Sequence, residues 1–239
     1  KDSVQTFNYQ ISTIMTTNGQ SPFISVCMYI SENPEYEEET VMLIEEFLKQ
    51  RIAGIKNEYG VVATQTFPKL LYFLDENNTY EGSEYYWLTE LAAKSTSIRM
   101  NPDYISVKKM KELVGYAFPC MGCRAFLSPF NDKDGKPIFY GRGNLGVCTI
   151  NLPHAALSSG GDLDKFWKIL GERLEMAREV GEIRYNKMKG VKASVAPIIW
   201  QHGAIARLNH DEDIIKAIDE RGFTVTIGYS GVYETVKYL

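Results

Sequence analysis

Two cysteines spaced three residues apart are the feature of this sequence with the most chemical potential. Cys120 and Cys123 lie in the stretch PCMGCRAFL, in which Gly122 precedes the second cysteine and Arg124 follows it. Such a pair can be half of a zinc site, a redox dithiol, or two small buried apolar side chains. In a fourth interpretation, one cysteine is catalytic and the other is a bystander.

The zinc and dithiol interpretations fit the surrounding residues poorly. A structural zinc site needs about four ligands, and the other cysteines and histidines are single and scattered: Cys27, Cys148, His154, His202 and His210. A thioredoxin-like dithiol needs its pair at the start of a helix, where the thiol pKa falls. The residues after Cys123 soon reach Pro129, which is typical of a loop or strand. Both interpretations stay open as alternatives.

Glycines near the cysteine pair and further along the chain predict points of close approach. Gly122 lets another element or a ligand come near the backbone at Cys123. Arg124 supplies a cation for an anionic group. The stretch GRGNLGVCTINLP, residues 141–153, has glycines at three positions in a strand-like run. Glycine within a strand typically marks a close contact.

Together, MGCRAFLSP and GRGNLGVCTINLP resemble the anaerobic, glycyl-radical (class III) ribonucleoside-triphosphate reductases. Three further stretches are similar to that family in the same order: NGQSPFISVCMYI, GAIARLN and TIGYSGVYETV. The resemblance covers nearly the whole chain. It implies an α/β fold that is part of a ten-stranded α/β barrel, with a cysteine-bearing finger loop.

The resemblance also implies a chemistry. By motif match, Cys123 carries a thiyl radical that abstracts the 3′-hydrogen of the substrate ribose, and Asn144 lies near the ribose hydroxyls. The residue types suit these roles, because a thiyl radical needs a shielded sulfur held close to one C–H bond. An uncharged amide can both donate and accept hydrogen bonds to hydroxyls. Cys120 is then the bystander.

Further substrate contacts follow from the same resemblance. Gly122 and Arg124 are implied to bind substrate beside the cysteine. Near the end of the chain, a strand turns into a helix, whose free N–H groups can bind phosphate; an ordinary β-to-α turn is the alternative. The resemblance favours phosphate contact at Ser230 and Gly231. Glu234 is either a substrate-site carboxylate or a first-turn acid that complements the helix dipole.

Some parts of the family pattern have no counterpart in the sequence, namely the N-terminal cone, the glycyl-radical loop and the zinc module. We therefore expect residues 1–239 to form a single domain, a barrel fragment that is inactive alone and holds no metal. Gly228 and Tyr229 have the dipeptide of the radical motif without its arginine, and are interpreted as structural. Cys27 is at the wrong place in the motif order and is assigned to the core. His154 stands where an arginine is expected.

The partners implied by the resemblance lie outside the chain. They are a ribonucleoside triphosphate substrate, nucleotide effectors, and an iron–sulfur/S-adenosylmethionine activase that installs the glycyl radical in the full-length protein. A homodimer is expected as well, and no cofactor within this chain itself. The alternative function is a non-catalytic nucleotide-binding barrel, or a dithiol or zinc module built on Cys120 and Cys123.

Composition excludes several other classes of protein. The net charge of −4 does not favour nucleic acid or an anionic membrane as a partner. No apolar run reaches the roughly 18 residues that span a bilayer. Four cysteines in 239 residues do not make a disulfide scaffold, which favours the reducing cytoplasm.

Strand-like and helix-like segments alternate along the chain, which predicts a mainly parallel sheet or barrel. The predicted strands are residues 21–30, 60–67, 124–130, 143–152, 194–201 and 223–231. The predicted helices are residues 35–57, 83–97, 106–115, 162–188, 211–222 and 232–239. Residues 68–78 are predicted to begin a loop-rich excursion, and the strands on either side of the polar loop at 131–137 are predicted to pair.

The longest helix has Asp162 as its predicted N-cap. Its predicted buried stripe is Leu163, Phe166, Leu170, Leu174, Ala177 and Ile183.

Overall fold

The computed structural model describes residues 1–16, 19–120, 122 and 126–239. The chain divides into two compact units, Lys1–Phe126 and Leu127–Leu239, and each is described by itself. The expectation of a single domain over residues 1–239 stays a prediction.

The first unit alternates helices with short strands. Its strands are β1 (Ser25–Met28), β2 (Ile55–Lys56), β3 (Val62–Ala63), β4 (Lys69–Leu74) and β5 (Asp103–Ser106). Its helices are α1 (Asp2–Thr13), α2 (Glu37–Ala53), α3 (Glu76–Thr79), α4 (Tyr86–Arg99) and α5 (Val107–Val114). The strands β1, β4 and β5 form a parallel sheet with β4 in the centre, while β2 and β3 pair antiparallel. The predicted parallel pairing is confirmed here.

The central strand β4 corrects a prediction. Residues 68–78 were expected to begin a loop-rich excursion, yet Leu70, Leu71, Tyr72 and Phe73 are buried in the sheet. Leu70 and Tyr72 belong to a core cluster with residues of α2 and α4, whereas Leu71 and Phe73 pack in a second cluster. A strand covered on both faces has a continuous apolar run instead of an alternating one. A short apolar run without alternation does not by periodicity alone identify a strand.

Helix predictions in the first unit are largely confirmed. The helices α4 and α5 lie within or close to the predicted residues 83–97 and 106–115. Helix α2 lies within the predicted residues 35–57 but ends at Ala53, because Ile55 enters β2 and pairs with Ala63. The strand predicted at residues 60–67 is reduced to β3.

The second unit is built on two parallel strands, β6 (Asn144–Asn151) and β7 (Thr224–Ser230). Its helices are α6 (Leu152–Ser159), α7 (Leu163–Met188), α8 (Pro197–Trp200), α9 (Ile215–Glu220) and α10 (Val232–Tyr238). The pairing runs from Asn144 opposite Thr224 to Asn151 opposite Ser230. Each strand leads directly into a helix at its carboxyl end. The predicted strands at 143–152 and 223–231 are confirmed.

The predicted partner of β6 is wrong. Residues 126–130, the described part of the strand predicted at 124–130, form no strand, and β6 pairs with β7 instead. The polar loop does turn as predicted, with the Gly135 N–H donating to Asp132 O (3.1 Å). Its ends meet only in an isolated bridge between Asn131 and Pro137. A turn signal therefore identified the turn correctly, but the pairing of its flanks was decided by tertiary contacts.

The strand predicted at residues 194–201 is also wrong. This segment forms a short 3-10 helix at Ala193–Val195 and then α8, with Trp200 buried. Pro197 occupies the first turn of α8, where proline is well tolerated in a helix. Helix α9 is shorter than the predicted residues 211–222.

The long helix α7 begins as predicted but buries a different set of side chains. Asp162 caps it by accepting a hydrogen bond from the Lys165 N–H (2.9 Å). Of the predicted stripe, Phe166 and Ala177 are buried and Leu170 is half-buried, whereas Leu163, Leu174 and Ile183 are exposed. The helix meets the sheet through Gly181, where an added Cβ would lie 3.2 Å from Val225 Cγ1. Helical periodicity identified the helix, but not which of its side chains neighbouring elements cover.

Across the described residues, no helix is long and apolar enough to cross a membrane.

Candidate active site

Asn144 begins β6 beside an irregularity in the pairing with β7. The register shifts between Asn144 and Val147, as in a β-bulge, and Gly146 has a φ of +146°. A bulge places an extra residue in one strand and so interrupts the usual alternation of side chains. As a result, the side chain of Asn144 reaches Thr226, the residue paired with Val147.

The carboxamide of Asn144 is held at both ends. Its Oδ1 accepts a hydrogen bond from the Gly146 N–H (2.8 Å), and its Nδ2 donates to the hydroxyl of Thr226. A primary amide has two N–H donors and two acceptor lone pairs. With respect to the described residues, one donor and one lone pair of Asn144 remain available, which suits a pair of hydroxyl groups.

The glycines of this motif allow close contact with other parts of the protein. An added Cβ on Gly146 would overlap Arg184 Nη1 of α7, and Arg184 also donates to Val147 O (3.3 Å). An added Cβ on Gly143 would overlap the ring of Phe223. The predicted close approach at these positions is therefore made by protein groups.

One face of the β6–β7 pair carries small and polar side chains. They are Val147, Thr149 and Asn151 on β6, and Thr226, Gly228 and Ser230 on β7. An added Cβ on Gly228 would lie 3.2 Å from Thr149 Oγ1, which supports a structural role for this glycine. The role of Thr226 was missed from the sequence, although the alternation of polar and apolar residues in TVTIGYS signals a polar face.

The carboxyl edge of this sheet brings the starts of two helices together. Asn151 caps α6 by accepting a hydrogen bond from the His154 N–H (3.1 Å). Gly231 is the N-cap of α10 with a φ of +79°, and it lies against Pro153 of α6. Gly231 has no side chain to satisfy the first N–H groups of α10, and such groups can bind an anion. The exposed Ser230 precedes them directly.

Glu234 lies in the first turn of α10. Its Oε2 is 3.6 Å from the position that a Cβ on Gly231 would take. A carboxylate there stabilises the helix through its dipole, and it would repel a phosphate bound at the same N-terminus. Phosphate binding at Ser230 and Gly231 therefore requires the Glu234 side chain to turn away, or a cation to be shared between the two anions.

The two parts of this site are separated along the strand. Ser230 lies four positions after Thr226, which contacts Asn144, and at strand spacing this is ~13 Å.

The cysteine segment belongs mainly to the first unit, and only part of it is described. Cys123 and Arg124 lie outside the described residues, so their predicted roles stay predictions. Cys120 is buried in the cluster of Leu71, Phe73, Ile105 and Val107. Gly122 has a φ of +42°, and an added Cβ would lie 3.3 Å from Phe23 Cδ1. Within the described residues, no group of three or more possible ligands could hold a metal ion.

Cys27 does not belong to the core, so that assignment is wrong. Its side chain is exposed, because it extends from the face of β1 opposite Met28. Its thiol is nevertheless partly desolvated, and this burial raises its pKa to about 11, with smaller effects from Cys120 and Glu32. The influence of Cys120 places these two thiols near the same face of the first sheet.

A family model described as anaerobic ribonucleoside-triphosphate reductase matches residues 1–239. The chain belongs to this family. The anaerobic ribonucleoside-triphosphate reductase of Escherichia coli K12 is 36% identical over 241 residues, covering 100% of this chain and 33% of that relative. The reductase of Enterobacteria phage T4 is 39% identical over 241 residues, covering 98% of this chain and 39% of that relative. The chain thus spans between a third and two fifths of the length of these reductases.

Solved structures of anaerobic reductases share the fold. The Thermotoga maritima anaerobic ribonucleotide reductase, with citrate in its active site, has a TM-score of 0.56 and 18% identity. The match covers 99% of this chain and 40% of that one. A second structure, described as anaerobic ribonucleotide reductase, has a TM-score of 0.60 and covers 99% of this chain and 35% of its own. The α/β arrangement with parallel strands is therefore that of the reductase fold.

Proposed function

We propose that this chain is part of an enzyme that reduces ribonucleoside triphosphates to 2′-deoxyribonucleoside triphosphates in the absence of oxygen. The observation that carries the proposal is the family match over residues 1–239. The 36% identity to the E. coli reductase extends over the whole chain and supports it. The chain alone is expected to be inactive, and its segment is proposed to form part of a ten-stranded barrel around a finger loop.

Cys123 is proposed as the catalytic cysteine. Its thiyl radical takes the 3′-hydrogen atom of the ribose, so that an S–H bond forms, a C–H bond breaks and the unpaired electron moves to C3′. This step needs a sulfur held close to one C–H bond and shielded from water. Cys120, buried among apolar side chains, is suited to a structural role beside it.

Asn144 is proposed to bind the ribose hydroxyls. Its remaining N–H can donate to one hydroxyl and its remaining lone pair can accept from another, while its other two positions are occupied by Thr226 and Gly146. This fixed orientation supports selection for a ribose with two neighbouring hydroxyls.

The triphosphate is proposed to extend toward the start of α10. Ser230 and Gly231 contact phosphate there, and Gly122 and Arg124 contact substrate near the cysteine. Glu234 is proposed as a substrate-site carboxylate, provided that its charge is compensated when phosphate is bound.

The radical source and the partners are proposals of the same kind. The full-length protein carries a glycyl radical, which supplies the radical for Cys123 and is installed by an iron–sulfur/S-adenosylmethionine activase. Gly228 does not fit the role of the radical-bearing glycine, because it lies within β7 against Thr149. Nucleotide effectors, a homodimer and a cytoplasmic location complete the proposal.

The test compares two cysteine variants in a full-length reductase that carries this segment. Cys123→Ser is expected to abolish deoxynucleotide formation and to leave the glycyl radical visible by electron paramagnetic resonance. Cys120→Ser is the matched control and is expected to keep most of the activity. Deoxynucleotide formation by Cys123→Ser would overturn the catalytic assignment. Loss of activity and of bound zinc in both variants would favour the zinc module instead.

A further inference from the structure

We infer that Thr226 is a positioning residue that fixes the Asn144 carboxamide in the orientation presented to substrate. This inference rests on the proposed function, which gives Asn144 a substrate to contact. Thr226 accepts a hydrogen bond from Asn144 Nδ2 across the β6–β7 pair. Nothing in the sequence motif of Asn144 identifies this partner, because the two lie 82 positions apart along the chain.

The two anchors of Asn144 determine which way its amide faces. The Gly146 N–H can only donate, so the atom that faces it at 2.8 Å must be the amide oxygen. The NH₂ group then faces Thr226, whose hydroxyl oxygen has lone pairs to accept one of its hydrogens. The bulge at Gly146 and the hydroxyl of Thr226 therefore fix both the position and the sense of the amide.

The bonding at Thr226 also leaves its own hydroxyl hydrogen free to turn. A hydroxyl that accepts from Asn144 can still donate one hydrogen bond. Thr226 is half-buried and lies on the same face as its pairing partner Val147, which is 52% exposed. Its hydroxyl is thus connected to Asn144 on one side and to the open face on the other.

A neighbouring residue provides a matched comparison. Thr224 lies two positions earlier on β7, and its Oγ1 is buried with no hydrogen-bond partner among the described residues. Replacing Thr224 with valine removes a hydroxyl without breaking any hydrogen bond found in the described part of the chain. The same replacement at Thr226 removes the hydroxyl that holds Asn144. The two variants therefore differ in the property that the inference concerns.

The experiment measures steady-state kinetics in a full-length reductase that carries this segment. Thr226→Val is expected to lower kcat about tenfold, the effect of one lost hydrogen bond on the barrier, with KM nearly unchanged. Thr226→Ser is expected to restore turnover to nearly the original level, and Thr224→Val to leave it unchanged. Equal kcat in Thr226→Val and the original protein would overturn the inference, as would equal losses in Thr226→Val and Thr226→Ser.

A second pair of variants guards against misfolding. Thr226→Ser and Thr226→Ala both lack the γ-methyl group and differ in the hydroxyl. If Thr226→Val unfolds at a lower temperature than the original protein, the kcat of Thr226→Ser is compared with that of Thr226→Ala instead. A ratio near one between these two kcat values would overturn the inference. Thermal melting and the amplitude of the glycyl radical signal serve as checks that neither variant changes the fold or the radical.

Combining Thr226→Val with Asn144→Ala separates this inference from the proposed function. If Thr226 acts through Asn144, the double variant loses no more than Asn144→Ala alone. A further, additive loss in the kcat of the double variant would show that Thr226 acts independently. If turnover is too low to measure, substrate affinity is compared instead. If Asn144→Ala keeps full turnover, the proposed role of Asn144 fails. If Asn144→Ala is impaired and Thr226→Val is not, only the positioning role fails.

Discussion

Pro153 at the start of α6 lies so close to Gly231 at the start of α10 that an added Cβ on Gly231 would overlap its ring. Gly231 also has a φ of +79°, which residues with a Cβ rarely adopt. This contact fixes the relative position of two helix starts at the carboxyl edge of the β6–β7 sheet. The proposed phosphate site depends on that geometry.

Gly231→Ala is expected to destabilise the protein. We expect a loss of about 3 kcal/mol in the free energy of unfolding, part from the positive φ and most from the overlap with Pro153. Urea denaturation measures it. Gly190→Ala is the control, because Gly190 has a φ of +82° with nothing within 4 Å of its added Cβ. The control is expected to cost about 1 kcal/mol, and equal costs in both variants would contradict the role of Pro153.

The thiol of Cys27 is expected to react slowly at neutral pH despite its exposure. With a pKa of about 11, its thiolate fraction at pH 8 is about a hundredfold lower than that of a thiol with a pKa near 9. Alkylation by iodoacetamide, followed at the Cys27 peptide by mass spectrometry, should therefore accelerate about tenfold for each pH unit until near pH 11. A rate that levels off near pH 9 would contradict the raised pKa.

Variants of the neighbours of Cys27 test the cause of this shift. Cys120 and Glu32 both raise the pKa of Cys27 when charged. Cys120→Ser and Glu32→Gln should each move the alkylation profile of Cys27 to lower pH.

Because the folded pKa is raised, Cys27 also makes the folded state less stable as the pH rises from about 9 to about 11. Cys27→Ser should reduce that loss in urea denaturation at high pH.

Asn78 is expected to be the most sensitive polar residue at the end of β4. It is fully buried, donates to Phe73 O (2.9 Å) and accepts from the Asp75 N–H (2.9 Å). Asn78→Ala leaves both backbone groups without these partners, so we expect a loss of about 3 kcal/mol in the free energy of unfolding. Within the described part of the chain, the adjacent Asn77→Ala removes one side-chain hydrogen bond, to Ser31, and should cost about 1 kcal/mol. Similar costs for the two variants would show that burial of Asn78 does not matter.

Some of the architecture follows directly from local sequence. The helices α4, α5 and α7 could be predicted because periodic apolar residues and an N-cap at Asp162 act within a few residues. The end of β7 that leads into α10 was also predictable, since Gly231 follows the strand-like run, whereas α6 was not predicted. Local hydrogen bonds and backbone preferences are sufficient to determine such features.

Other features of the fold could not be predicted from local sequence, because they depend on contacts between residues that are far apart along the chain. The run at β4 has no alternation because both of its faces are covered, and only the folded sheet shows this. The stripe on α7 was predicted too wide, because Phe166 packs against Ala155 and Ala156 of α6 whereas Leu163 and Ile183 stay exposed.

For the site, the sequence by itself determined the family and the candidate residues, because motifs such as MGCRAFLSP and GRGNLGVCTINLP are contiguous. It could not determine that Asn144 turns toward Thr226, since this depends on a bulge and on the register between two strands that are distant along the chain. Only the tertiary structure decided that pairing. Hydrogen bonds between distant strands depend on the fold as a whole, whereas motifs and caps depend on residues that are close in sequence.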